Sequence, residues 1–209
     1  EIALETKEIF VPLAHRLGMA KLKWQLEDLS LKCLDLRAFN SIKKKIETST
    51  RLNEDILSNA IRPIKSELSS YKIKSNIFGR YKSISSIHRK IENRGKKFED
   101  IYDLYAIRIV VDKIEECYLA LGVIHSIYPP LQDRFKDFIA TPKTNGYQSI
   151  HTTVLTKDNR LTEFQIRTKD MDHTAEVGVA AHWLYKGNDE IGEFDSQVSW
   201  LRDCLLYTS

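Results

Sequence analysis

Leu161-Thr162-Glu163-Phe164-Gln165-Ile166-Arg167-Thr168 is the stretch on which the fold of this chain turns. Its period is two. Phe164 and Ile166 fall on one face, while Glu163, Gln165 and Arg167 fall on the other, as in a β-strand with a single apolar side. Three consecutive polar side chains are too costly to bury in an apolar core, so their face is expected to wall a polar cleft. Just upstream, residues 149–155 have the same strand character, and Lys157-Asp158-Asn159 supplies the turn between the two runs. Together they read as a hairpin.

Further out, Ala106-Ile107-Arg108-Ile109-Val110-Val111 is a β-branched strand interrupted by one arginine. A buried cation must find a partner or stack on a ring. Residues 73–77 alternate like a half-buried strand and are expected to stop at Gly79, and Phe138-Ile139 makes a short strand before Pro142. Helical spacing is expected over residues 83–93, 115–127 and 170–185, stopped by Gly95, Pro129-Pro130 and Gly187 in turn. Residues 1–70 read as helices throughout, with Asn40 and Ser41 as caps and no catalytic cluster among them. Helices first, then a mixed β/α segment, indicate an α+β chain: a mixed five-stranded sheet flanked by helices, preceded by an all-helical segment.

The 209 residues are 42% hydrophobic and 29% charged, ordinary globular usage that excludes a disordered or fibrous chain. No apolar run approaches the roughly 20 residues of a membrane span, so no membrane partner is expected. Cys33, Cys117 and Cys204 are odd in number and form no CxxC, which suggests neither a disulfide framework nor a zinc site. Cys33 and Cys117 read as small buried residues in helices, and a reducing, cytoplasmic location fits.

Net charge is +3, but its distribution is uneven. Residues 72–97 hold nine Lys or Arg against Glu92 alone, a local +8 that leaves the rest of the chain at −5. Such a segment is either a solvated helix face or a field that attracts phosphate. Within it, Gly79-Arg80-Tyr81-Lys82-Ser83 sits where strand gives way to helix, and free N–H groups at the helix start would add to Arg80, Lys82, Ser85, Ser86 and Lys90. The pattern is neither a P-loop nor GxGxxG. Asp103, at the mouth of the 106–111 strand, stands where a magnesium carboxylate would be placed. Lys143-Thr144-Asn145-Gly146-Tyr147 is a turn that displays a tyrosine beside a cation and an amide, suited to base stacking, with His151 following on the outgoing strand. Glu163 is a candidate general base or second metal carboxylate.

Taken in order, GRYKS, the Tyr102-Asp103 pair before a strand, RFKD at residues 134–137, PKTNGYQSIHT, EFQIRT and AEVGVAAHW resemble the RelA/SpoT family of long alarmone enzymes. The resemblance implies a nucleotidyltransferase-like (p)ppGpp synthetase domain over residues 71–187. It implies the helical tail of a hydrolase domain over residues 1–70 and a truncated extension over residues 188–209. It further implies Mg²⁺-dependent transfer of pyrophosphate from ATP to the 3′-hydroxyl of GDP or GTP. By motif, Arg80 and Arg108 would sandwich the adenine, with Lys82, Ser86 and Lys90 on its phosphates. Asp103 and Glu163 would bind Mg²⁺, and Glu163 would take the proton. Tyr147 would stack on the guanine, with Lys136, Lys143, Asn145, His151, Gln165 and Arg167 around that nucleotide.

The hydrolase half of the family uses a His-Asp motif, and no His-Asp dipeptide occurs here, so hydrolysis is not expected of this chain. Lys136 in RFKD is the basic version found in bifunctional members. Both ends read as cut, and the regulatory C-terminal region, through which the parent protein is expected to associate with the ribosome, is missing. The alternative function is an inactive guanine-nucleotide or RNA-binding module of the same fold. A generic nucleotidyltransferase is disfavoured because paired Asp-x-Asp acids on one strand are absent.

Overall fold

The computed structural model describes residues 1–94, Phe98 and residues 105–178. Helix α1 (Ile2–Glu5) runs through a π turn (Thr6–Phe10) into α2 (Val11–Arg16), followed by α3 (Ala20–Leu34) and the long α4 (Leu36–Ser70). Then come β1 (Asn76–Tyr81), α5 (Ile84–Arg94), β2 (Tyr105–Val111), α6 (Ile114–Ile127), β3 (Lys136–Asp137), β4 (Ile150–Leu155), β5 (Leu161–Thr168) and α7 (Lys169–Val177). The five strands form one mixed sheet in the order β1-β2-β5-β4-β3. β2 and β5 are parallel, and the other pairs are antiparallel. The expected architecture is therefore present, hairpin β4-β5 included.

One sheet face is apolar and carries the core. Ile107, Ile109 and Val111 of β2, Phe164 and Ile166 of β5, and Ile150 and Val154 of β4 pack with Cys117, Ala120 and Ile124 of α6. Ala60, Ile64 and Leu68 of α4 close the same cluster. Burying a side chain of this size contributes roughly 1.5–3 kcal/mol. The first half of α4 faces elsewhere: Ile42 packs with Ile87 of α5 and with Phe98 in a second, smaller cluster. One helix therefore serves two cores.

Local expectations shift in four places. The start of α4 is capped by Asp35, whose carboxylate accepts the Ala38 N–H at 2.8 Å, so Asn40 and Ser41 lie inside the helix. A carboxylate already placed three residues before an open N–H is the preferred cap. Gly79 does not end its strand but sits within β1, paired with Ile107. A Cβ there would meet Leu57 Cδ1 at 3.2 Å, so the glycine admits α4 against the sheet. The short strand is Lys136–Asp137 rather than Phe138-Ile139, because the Asp137 carboxylate takes the N–H groups of Ile139 and Ala140 and turns the chain. Cys117 is buried as expected, but Cys33 is exposed on the outer side of α3. At the other end, Thr168 caps α7 by accepting the Met171 N–H, and the helix ends at Val177 before Gly178, whose φ is +94°. The stops at Gly95 and Gly187, the helical reading beyond Gly178, and Cys204 lie outside the described residues. Among the described residues no helix is long and apolar enough to cross a membrane.

Candidate active site

The strand register assembles the polar face. Across all five strands, Phe78, Arg108, Gln165, His151 and Lys136 are successive partners. One row over, Arg80, Ala106, Glu163 and Thr153 are partners in the same way. Direct partners share a face, so the alternation of β5 brings Glu163 and Gln165 alongside residues 10 to 57 positions away in sequence.

Three cavities border this face: one of about 460 Å³ runs between α3, α4 and residues 80–84, and two lie along the sheet. The larger of these two, about 430 Å³, is lined by Arg80, Lys82, Ser83, Ser86, Lys90 and Gln165, with Lys23, Trp24, Arg89 and Ala106. The smaller, about 200 Å³, is lined by Arg134, Lys136, His151, Thr153 and Glu163, with Asp133 and Leu161. Glu163 links them. Its carboxylate lies 3.8 Å from Lys82 Nζ of the larger cavity and 3.1 Å from His151 Nδ1 of the smaller. Gln165 Nε2 donates to the same oxygen as His151, at 3.1 Å. Burial pushes the Glu163 carboxyl up, but the hydrogen bonds from His151 and Gln165 and the Lys82 charge outweigh it and bring it down to about 2. The group is an anion at neutral pH.

The turn at Asn145-Gly146 hangs beside the smaller cavity. Gly146, at φ +72°, donates its N–H to Lys143 O at 2.9 Å, a backbone region open to glycine at little cost. Tyr147 Oη and His151 Nε2 are 2.8 Å apart, so with Nδ1–H directed to Glu163 the ring accepts from the phenol. Lys143 Nζ sits 4.5 Å from the Phe138 ring centre and 5.1 Å from that of Tyr147. Burial, with Lys136 and Lys23 nearby, pushes its ammonium pKa down. Asn145 Nδ2 donates to His15 O at 3.3 Å, tying the turn to α2.

Two residues expected around the nucleotides lie elsewhere on the face. Arg108, 4% exposed in its side chain, pairs with Asp172 and Glu176 of α7 at 3.1 Å each. Arg167, at 1%, pairs with Asp172. Neither lines either of these two cavities. Asp103 lies outside the described residues. The free N–H groups expected at the start of α5 are also taken: Ser85 N–H donates to Asp28 Oδ1 at 2.8 Å and Ile84 N–H to Oδ2 at 3.4 Å. Ser83 and Ser86 hydroxyls are 2.7 Å apart beside them.

Sequence reasoning missed the contribution of α3 altogether. Trp24 lies against Arg80, whose guanidinium carbon is 3.3 Å from the ring centre, and Glu27 accepts from Arg89 at 3.0 Å. Burial, then the Arg108 and Arg167 charges, push Arg80 down to about 9. The spacing of Trp24, Glu27 and Asp28 was the available signal: a tryptophan and two acids at i, i+3 and i+4 share one helix face.

Comparison with known proteins agrees with this arrangement. A family model described as a region found in RelA / SpoT proteins matches residues 79–190. The bifunctional (p)ppGpp synthase/hydrolase RelA of Mycobacterium tuberculosis is 45% identical over 212 residues, which is 97% of this chain and 29% of the relative. A GTP pyrophosphokinase of Escherichia coli is 38% identical over 209 residues, 98% of this chain and 28% of its own length. A guanosine-3′,5′-bis(diphosphate) 3′-pyrophosphohydrolase of Spiroplasma citri is 46% identical over 88% of this chain and 25% of its own length. The chain thus spans between a quarter and three tenths of these curated relatives. Among solved structures, small alarmone synthetase 2 of Bacillus subtilis superposes with a TM-score of 0.53 at 24% identity, covering 79% of this chain and 96% of that one. At that identity the likeness speaks for the fold alone. With the family region spanning more than half of its residues, the chain belongs to the RelA/SpoT family.

Proposed function

We propose that this chain catalyses transfer of pyrophosphate from ATP to the 3′-hydroxyl of GDP or GTP, forming (p)ppGpp. The observation that carries the reading is the junction at Glu163: its carboxylate lines the cavity of about 200 Å³ and lies 3.8 Å from Lys82 Nζ, which lines the basic cavity of about 430 Å³. A two-nucleotide reaction needs such an arrangement, because holding both reactants on either side of one base supplies the proximity contribution. The larger cavity suits ATP, with Lys82, Ser86 and Lys90 on phosphates and Arg80 at the base. The smaller suits the guanosine nucleotide, with Arg134, Lys136 and His151 toward phosphate and Tyr147 available to stack.

In this reading the 3′-oxygen attacks the β-phosphorus of ATP, the bond from that phosphorus to the α,β-bridging oxygen breaks, and AMP leaves. The hydroxyl proton goes to Glu163. A carboxylate held at about 2 is a weak base; as Lys82 turns to the phosphates, its stabilising charge leaves and the proton affinity of Glu163 rises. Gln165 keeps the carboxylate oriented while this happens. An anionic, partly buried oxygen donor fits a hard cation, and Mg²⁺ typically takes one or two carboxylates plus substrate phosphates. Glu163 and Asp103 would hold it, and it would supply charge neutralisation on the transferring phosphates. Arg108 and Arg167 act from beneath, as cations pinned by α7. Residues 1–70 are read as the end of a hydrolase domain and its connector, residues 71–187 as the synthetase domain and residues 188–209 as a truncated extension. A cytoplasmic location and ribosome association of the parent protein belong to the same proposal.

Incubation with ATP, GDP and Mg²⁺, followed by chromatographic identification of products, tests it. Guanosine nucleotide gaining two phosphates together with equimolar AMP is expected, and Glu163→Gln abolishes both. Binding of both nucleotides with no AMP released would replace the enzyme by a binding module.

A further inference from the structure

Helix α3 precedes the family region that matches residues 79–190, yet it forms a wall of the larger cavity through Lys23 and Trp24. Three side chains on one face of it reach across. The Trp24 ring lies against Arg80, with the guanidinium carbon over it 3.3 Å from its centre. Glu27 accepts from Arg89 at 3.0 Å, and Asp28 holds the first N–H groups of α5. The two acids fix α3 to α5, which makes the third contact a defined one.

Arg80 is unusual for a half-buried arginine. Among the described residues no carboxylate lies within ion-pair distance of it, and the charges nearest in effect are the cations Arg108 and Arg167. Its fixed partner is an aromatic face. A guanidinium is a plane with two faces, and both stack well on π systems. Trp24 covers one, and Arg80 also borders the cavity.

We propose that Trp24 is a positioning residue for ATP, supplied by the helical segment: it holds the Arg80 guanidinium by stacking so that the opposite face receives the purine. This rests on the reading of the larger cavity as the ATP site. The resulting order is indole, guanidinium, purine, with the cation between two π faces. The selectivity is for the base, not for the phosphates, which Lys82, Ser86 and Lys90 serve.

The test uses the 209-residue chain and three probes: ATP, inorganic tripolyphosphate and GDP, each titrated calorimetrically, with steady-state kinetics alongside. Trp24→Ala is expected to weaken ATP by about tenfold, the value of a partly desolvated cation–π contact. It should raise KM for ATP with kcat nearly unchanged, and leave tripolyphosphate and GDP alone. Trp24→Phe restores most of the affinity because a ring remains, whereas Trp24→Leu, apolar without a π face, behaves like alanine. Full ATP affinity in the leucine variant would overturn the proposal, leaving packing as the whole role. Equal loss for tripolyphosphate would overturn it in favour of general collapse of the cavity. Tighter ATP binding by Trp24→Ala would also overturn it, making the indole a cover over the site. A wild-type chain that binds tripolyphosphate but not ATP would instead remove the site reading on which the proposal stands.

Discussion

Glu163→Gln has a consequence beyond activity. The carboxyl stands at about 2 in the folded chain against an ordinary 4.5, and the difference of about 2.5 pKa units corresponds to about 3 kcal/mol of stabilisation as an upper figure. The unfolded chain binds a proton at this side chain near pH 4.5, while the folded chain resists until about 2. Stability from this group is therefore complete above pH 4.5 and lost as pH falls toward 2. Glutamine keeps an oxygen that accepts from His151 and Gln165 but loses attraction to Lys82 and all titration. Urea unfolding followed by far-UV circular dichroism, at pH 7, 5, 4 and 3, measures both chains. The variant should be less stable at pH 7, and the gap should shrink by about 1–2 kcal/mol between pH 5 and pH 3 as the wild type alone pays for protonation. A gap constant across that range would refute the account of what holds Glu163.

Asp28→Ala removes the acceptor for the Ile84 and Ser85 N–H groups and should cost about 1–2 kcal/mol. Asp28→Asn, which keeps one oxygen, should lose less, and faster hydrogen exchange at the first amides of α5 would localise the effect. Ile64→Ala empties a fully buried position between α4 and the sheet and should lower the unfolding free energy by about 2–5 kcal/mol in urea titration. Tyr147→Phe removes the phenol contact with His151 but keeps the ring, so GDP affinity should hold within about threefold, whereas Tyr147→Ala should lose roughly tenfold or more by calorimetry.

The parts legible in sequence are those set by short-range periodicity. The alternation from Thr162 to Arg167 assigned each β5 side chain its face, and from that the polar wall followed. Turn chemistry at Asn145-Gly146 likewise placed Tyr147. What escaped depends on pairs far apart in the chain. Asp28 and Ser85 stand 57 positions apart, so the occupied start of α5 left no local trace. Gly79 resembled a stop because a glycine's neighbour in space, Leu57, is not written beside it. Arg167 was placed on the polar face and Arg108 was expected to need a partner, but that partner is α7, whose Asp172 and Glu176 decide which cations are left to face the cavities.

The helix α4 separates what is inherited from what folds. The family region begins at residue 79, but Ala60, Ile64 and Leu68 fill the underside of its sheet. A gene fragment cut at the homology boundary would leave Ile107, Ile109 and Phe164 without their cover. The smallest autonomous piece therefore has to begin upstream, within α4, and the same helix continues to Ile42 and the second cluster. The helical segment and the sheet thus share one continuous element, with a cluster packed at each end of it.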